Sequence, residues 1–170
     1  MIEGVEIKKL NPHLDDRGYM FEFARSDDEF FKEVVINDSV KPGDPITPTS
    51  LNGEFQINIS EVFPNAVKAW HRHQLQWDYA TVIKGNAKLC VVNDRDVSKE
   101  SKVEINEFFI GEKNPVIIKI PPKMWHGYMA LGKEPATILY LVTKPYNHDK
   151  PDEERKSWDA FGDIWTVKNR

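Results

Sequence analysis

Along most of the chain, apolar and polar residues alternate in short runs, and glycine, proline and asparagine cut these runs at close intervals. Alternation with a period of two puts apolar side chains on one face of a strand and polar ones on the other. The runs are VEIKKL (5–10), YMFEFAR (19–25), FQINISEVF (55–63), AVKAWHRH (66–73), YATVIKG (79–85), AKLCVVN (87–93), EFFIG (107–111), VIIKI (116–120), GYMAL (127–131) and TILYLVT (137–143). Turn signals stand between them: KG at 84–85, ND at 93–94, GEKNP at 111–115, PP at 121–122 and GKEP at 132–135. Many short strands with few helical patterns predict an all-β barrel or sandwich with a few short helices. Two segments break the rhythm. SDDEFFKEVVI (26–36) predicts a short helix opened by Ser26 or Asp27, and Asp149 before Pro151 predicts a second helix start. NDSVKPGDPITPTSLNG (37–53), with three prolines, predicts a long loop within one domain rather than a boundary.

Composition narrows this picture. A chain of 170 residues, 40% hydrophobic and 11% aromatic, suits a single domain over 1–170 with one sizeable core. The formal charge of −4 argues against nucleic acid and membrane surfaces as partners, since both attract basic patches. A small anionic ligand held by a few local cations remains compatible. Cys90 stands alone in an apolar stretch, where it predicts a small buried hydrophobe, and a lone cysteine fits a reducing compartment. MIEGVEIKKL lacks a secretory apolar core, and no run approaches the roughly 18 apolar residues of a membrane span. The cytoplasm is the expected location.

Chemistry concentrates in WHRHQLQWDYATVIKG (70–85). His71 and His73 are two apart, so on a strand they share a face. Asp78 can add an oxygen ligand, and His126, in IPPKMWHGY, a further nitrogen from a distant strand. His-x-His-x4-Asp-x6-Gly, followed by Pro121-x4-His126, partly resembles the two metal motifs of the cupin superfamily. Glutamate is more usual there than Asp78, and glycine more usual than Lys123. A metal site, a proton-transfer site and a structural strand are all compatible with these residues alone.

A longer resemblance covers about residues 5 to 166. DDRGYMFE (15–22), FQINIS (55–60), VKAWH (67–71), VIKG (82–85), IPPKMWHGYMAL (120–131), LYLVTKPY (139–146) and WDAFGDIW (158–165) follow the order and spacing of one family. Together they resemble the dTDP-4-dehydrorhamnose 3,5-epimerases. The resemblance implies a cupin jelly roll, a homodimer, no cofactor and a nucleotide-linked 4-keto-6-deoxy sugar as substrate, in supply of deoxysugars for polysaccharide. It implies His71 as the base that removes the proton beside the ketone, Tyr140 as the acid on the opposite face, and Asp159 as the carboxylate behind the histidine. Arg17 and Lys68 match positions that hold the diphosphate. Glu22, Gln56 and Asn58 match the polar lining, with His73 and His126 beside them, and Tyr146 matches a ring stacked on the base. Lys68 and His71 are three apart, so a regular strand puts them on opposite faces; a bulge would have to intervene for both to meet one ligand.

The departures fall at the reacting centre. Lys68-Ala69-Trp70-His71 replaces the family's Arg-Gly-Leu-His, and Arg72 and His73 follow. The lysine that supports the enolate belongs seven residues before the glycine of the VIKG turn, and counting back from Gly85 lands on Asp78. A carboxylate there repels a developing enolate. Three expectations follow. His73 or Arg72 supplies the missing cation. Or the chemistry is that of the sugar 3,4-ketoisomerases, which HRHQ and PPKMWHGY also resemble. Or His71, His73, Asp78 and His126 hold one divalent metal ion. A non-catalytic nucleotide-sugar binder is the remaining alternative.

Overall fold

The computed structural model describes residues 1–25, 27–34, 55–94 and 103–167. Twelve strands run Glu6–Lys9 (β1), His13–Asp15 (β2), Gly18–Met20 (β3), Gln56–Val62 (β4), Val67–Arg72 (β5), Asp78–Lys84 (β6), Asn86–Asn93 (β7), Glu104–Gly111 (β8), Val116–Ile120 (β9), Trp125–Ala130 (β10), Ala136–Val142 (β11) and Glu154–Arg155 (β12). They form two antiparallel five-stranded sheets, ordered β1-β9-β6-β11-β4 and β12-β5-β10-β7-β8, and the separate hairpin β2-β3. The expected jelly-roll class is the fold observed.

Apolar residues at alternate positions explain why the sheets face each other. Val62, Ala80, Val82, Leu89, Val91, Ile118, Ile120 and Ile138 form the cluster between them. The central strands are also buried on their outer faces, so VIIKI and AKLCVVN read as nearly continuous apolar runs. Behind the first sheet, Tyr79, Ile117 and Leu141 pack under Phe21, Phe23, Phe30 and Phe31 of the N-terminal segment. Lys119, 1% exposed, sits on this outer face, and its ammonium lies 3.1 Å from Glu6 and 2.8 Å from Glu33. Behind the second sheet, Trp70, Cys90, Val92 and Trp125 pack under Phe161, Ile164 and Trp165 of the C-terminal segment. Trp70 Nε1 and Trp165 Nε1 both donate to the carbonyl of Trp158, at 2.9 and 3.0 Å.

One irregularity shapes the functional end. β10 pairs with β5 as His126 with His71, and then as Tyr128 with Lys68. Ala69 and Trp70 therefore stand opposite Gly127 alone, which makes a bulge in β5. A Cβ on Gly127 would lie 2.4 Å from the Cβ of Ala69, so glycine is what lets the bulged strand approach.

Local expectations fare unevenly. Within the described residues 27–34, the segment expected to be helical forms only a 3-10 turn, Glu29–Phe31, and its cap is Asp28, whose carboxylate accepts from the Phe30 N–H at 3.0 Å. Ser26 and the loop at 37–53 lie outside the described residues. The helix start expected at Asp149 is absent. Residues 154–155 instead form β12 and pair with Arg72 and His71, because the exposed edge of β5 offers backbone partners that a short polar helix would not have. Among the described residues no helix is long and apolar enough to cross a membrane.

Candidate active site

A cavity of about 540 Å³ opens between the two sheets. Its size falls within the roughly 300–1,000 Å³ typical of small-molecule sites. β4 contributes Gln56, Asn58 and Ser60 at alternate positions, so one strand face is polar towards the cavity. β11 contributes Tyr140 and β6 contributes Asp78 from the same sheet. From the opposite sheet, β5 contributes Lys68 and His71, and β10 contributes Tyr128. The β5 bulge resolves the spacing conflict: Lys68 and His71 pair with Tyr128 and His126, which are two apart on β10, so they share a face and line the cavity, while the Trp70 side chain packs in the outer cluster.

The two principal candidates, His71 and Tyr140, line the cavity from different sheets. Burial, with His126, His73 and Arg155 nearby, holds the His71 imidazole well below its ordinary pKa. It is neutral at pH 7 and able to accept a proton. Burial, reinforced by Tyr128 and Asp78, raises the Tyr140 phenol well above its ordinary value. The Tyr140 hydroxyl is buried and has no hydrogen-bond partner among the described residues. Opposite shifts of this kind separate a base from an acid in one pocket.

Three imidazoles converge beside the cavity. The ligand nitrogens of His71, His73 and His126 lie within 4.8 Å of one another, and the His71 and His126 rings are 4.1 Å apart. His126 is 2% exposed, its Nδ1 is 3.0 Å from the Met124 carbonyl, and its Nε2 is 3.4 Å from Asp78 Oδ2. Burial lowers its pKa against the opposing pull of Asp78. His73 meets the Asp152 carbonyl through Nδ1, and its Nε2 lies 3.9 Å from the same Asp78 oxygen. Gln76 donates to the other Asp78 oxygen at 2.7 Å. The set of imidazoles and one carboxylate suits a divalent transition metal by donor type.

Other expected residues lie elsewhere. Asp159 does not back His71: it is exposed and accepts from the Ser157 hydroxyl, in a turn closed by Gly162 N–H to Asp159 O at 2.9 Å. No carboxylate is hydrogen-bonded to His71 among the described residues. Arg17, with its side chain 85% exposed, pairs with Asp15 at the β2-β3 turn, and Glu22 pairs with Arg25 at 3.5 Å; neither lines the cavity. Arg72 cannot supply the missing cation. It points to the other face, where it binds Asp94 at 3.2 Å and Glu154 at 2.8 Å and lies over the Trp125 ring.

Some lining residues escaped the sequence reading. Lys144, Glu153 and Arg155 reach the cavity through the C-terminal segment. Nothing in a short polar stretch signals that it will pair with β5. Ser60 and Tyr128 were accessible by simple alternation, from Gln56 and Asn58 in one case and from His126 in the other. Lys68 Nζ and Tyr128 Oη both donate to the Ser60 hydroxyl, at 2.9 and 2.8 Å. Tyr146 lines the mouth, and its backbone N–H donates to Gln56 at 2.8 Å.

A jelly roll in which a neutral imidazole and a protonated phenol line one cavity from opposite sheets fits the class of sugar isomerases that work by proton transfer. Comparison with known proteins narrows the class. The chain belongs to the dTDP-4-dehydrorhamnose 3,5-epimerase family, whose model matches residues 1–162. It is 34% identical over 172 aligned positions to the spore coat polysaccharide biosynthesis protein SpsL of Bacillus subtilis, covering 100% of both chains. It is 33% identical to the probable low-salt glycan biosynthesis epimerase Agl13 of Haloferax volcanii, covering 93% of this chain and 89% of that one. A dTDP sugar isomerase structure from Desulfovibrio desulfuricans superposes with a TM-score of 0.70 at 25% identity, over 93% of this chain and 87% of that one. The Mycobacterium tuberculosis rmlC epimerase shares the fold, with a TM-score of 0.69 at 22% identity over 93% and 71% of the two chains.

Proposed function

We propose that this enzyme epimerises or isomerises a nucleotide-linked 4-keto-6-deoxy sugar by passing protons between His71 and Tyr140. The supporting observation is the placement of a neutral imidazole and a protonated phenol on opposite walls of one cavity. His71 takes the proton from the carbon beside the ketone, and the electron pair moves onto the ketone oxygen to give an enolate. Tyr140 then protonates the same carbon from the other face. One proton leaves and one returns, so the reaction consumes no oxidant or reductant and needs no organic cofactor. Lys68, Lys144 and Arg155 supply cations along the cavity wall for the diphosphate, and Tyr146 offers a ring for the base at the mouth.

A homodimer belongs to the same reading. β4 ends its sheet, and Ile57 and Ile59 are 57% and 68% exposed on the face turned away from the cavity. The β2-β3 hairpin carries exposed Leu14, Tyr19 and Met20. Pairing of N-terminal strands with a second copy would cover this apolar surface and give Arg17 and Glu22 a cavity to approach. A cytoplasmic location accompanies a nucleotide-sugar substrate.

The test is solvent deuterium exchange into a 4-keto sugar nucleotide. Label is expected at the carbon next to the ketone. Loss is expected in His71→Ala, by about 10²-fold or more, with slowing in Tyr140→Phe. Tight binding of the sugar nucleotide without any exchange would sink the catalytic reading in favour of a binding protein.

A further inference from the structure

By the resemblance described above, Asp78 takes the place of a lysine, yet its surroundings are those of a coordinating carboxylate rather than of a repelled charge. A neutral imidazole has one N–H. In His126 that hydrogen is directed to the Met124 carbonyl at 3.0 Å, and in His73 to the Asp152 carbonyl. Each ring therefore turns the lone pair of Nε2 inward. Both lone pairs aim at one atom, Asp78 Oδ2, at 3.4 Å and 3.9 Å. With both rings in their neutral form, three acceptors meet there with no hydrogen between them. His126 Nε2 is buried without a hydrogen-bond partner among the described residues, and leaving such an atom unsatisfied is unfavourable.

Two cations can fill such a gap, a proton or a metal ion, and distances decide between them. A charge-assisted N–H···O bond is about 2.7–2.9 Å long, shorter than either separation. One proton would also serve only one of the two histidines. A tetrahedral metal about 2.0–2.2 Å from each donor separates neighbouring ligand atoms by about 3.3–3.6 Å. The 3.4 Å edge fits this already, and the 3.9 Å edge needs a small side-chain adjustment. The donors are also held from behind. Both Nδ1 atoms are tied to backbone carbonyls, Gln76 donates to Asp78 Oδ1 at 2.7 Å, and the Lys123 N–H donates to the His73 carbonyl at 2.6 Å.

We propose that His73 Nε2, His126 Nε2 and the Asp78 carboxylate form a site for one divalent first-row transition metal ion, with His71 left free beside it as the base. This assignment turns the loss of the lysine into a replacement of one positive charge by another: the ion offsets Asp78 and lies next to the cavity in which an enolate would develop. Its catalytic role rests on the proton-transfer reading above, while its binding rests on the three donors alone.

The two parts are separable in the full chain. Protein stripped with a chelator and titrated with Co²⁺ is expected to take up about one equivalent and to develop a visible d–d band. Asp78→Asn and His73→Gln, both close in size to the native residues, are expected to abolish the band and to weaken Co²⁺ binding by more than about 100-fold. Their thermal unfolding should match that of stripped wild-type protein, which shows them folded. His71→Ala is expected to keep the band and lose exchange. Folded wild-type protein that takes up no Co²⁺ overturns the metal site, and exchange by that same stripped protein would leave the His71–Tyr140 reading standing. Loss of the band in His71→Ala overturns the division of labour, because His71 would then be a ligand. Metal uptake in protein that never exchanges deuterium supports the site and removes the proton-transfer reading instead.

Discussion

Burial drives the pKa values of His71 and Tyr140, the proposed base and acid, in opposite directions, because each keeps the form that carries no charge. For His71 the neutral form is the base. Its pKa is held well below the ordinary 6.5, so exchange is expected to be level through neutral pH and to fall only as pH drops far below 6.5. A pH–rate profile for deuterium exchange checks this, and an inflection at or above 6.5 would contradict it. Cys90 shows the same physics without a function. It is 0% exposed, and burial pushes its thiol up to about 12. The thiolate is the reactive form, so native protein at pH 8 is expected to resist iodoacetamide while unfolded protein reacts, as mass spectrometry would show. The sequence made His71, His73, Asp78 and His126 visible as a group because their spacing is local or follows a short motif. Asp159 was misread because nothing in a sequence says which carboxylate will stand behind a histidine 88 positions away.

At the scale of the element, the bulge in β5 matters most. It turns Lys68 and His71 to the same side and leaves Trp70 locked between Trp165 and Phe161, with ring centroids at 4.8 and 5.2 Å. Gly127 permits the close contact from β10. Gly127→Ala is expected to force β5 outward, destabilise the fold by about 1–3 kcal/mol as overpacking does, and weaken kcat/KM by displacing His71. Thermal unfolding and exchange kinetics on one preparation measure both. The strands at 5–10, 55–63, 66–73, 79–85, 87–93, 107–111, 116–120, 127–131 and 137–143 were legible because alternation is a local signal. The short β2 and β12 were not, since neither is buried enough to alternate. The C-terminal segment carries Pro151, a helix-start cue, yet it pairs with β5 because an open sheet edge offers stronger company than local propensity.

For the whole molecule, three apolar layers lie in series: one between the sheets and one behind each. The layer between the sheets leaves room for the cavity at one end, and the two outer layers pin the strands that line it. Buried neutral histidines make this arrangement sensitive to acid. The unfolded chain protonates His71 and His126 near pH 6.5, whereas the folded chain does so only at lower pH. Unfolding thus takes up protons in that window, and stability is expected to fall as pH drops below 6.5. Denaturant titrations across pH 7 to 5 test it, and His126→Asn should flatten the slope. Assembly is tested separately: Ile59→Asp on the exposed face of β4 is expected to convert a dimer to monomer in sedimentation, with the monomer fold unchanged. The sequence by itself determined most of the strands, the jelly-roll class, the family and the residue types of the candidate site, because period-two burial and motif spacing are written in neighbouring positions. Only the tertiary structure decided which face each residue meets. Register, a one-residue bulge and the pairing of a distant tail together put Arg155 at the cavity, Arg72 and Asp159 away from it, and two histidine lone pairs on one oxygen of Asp78.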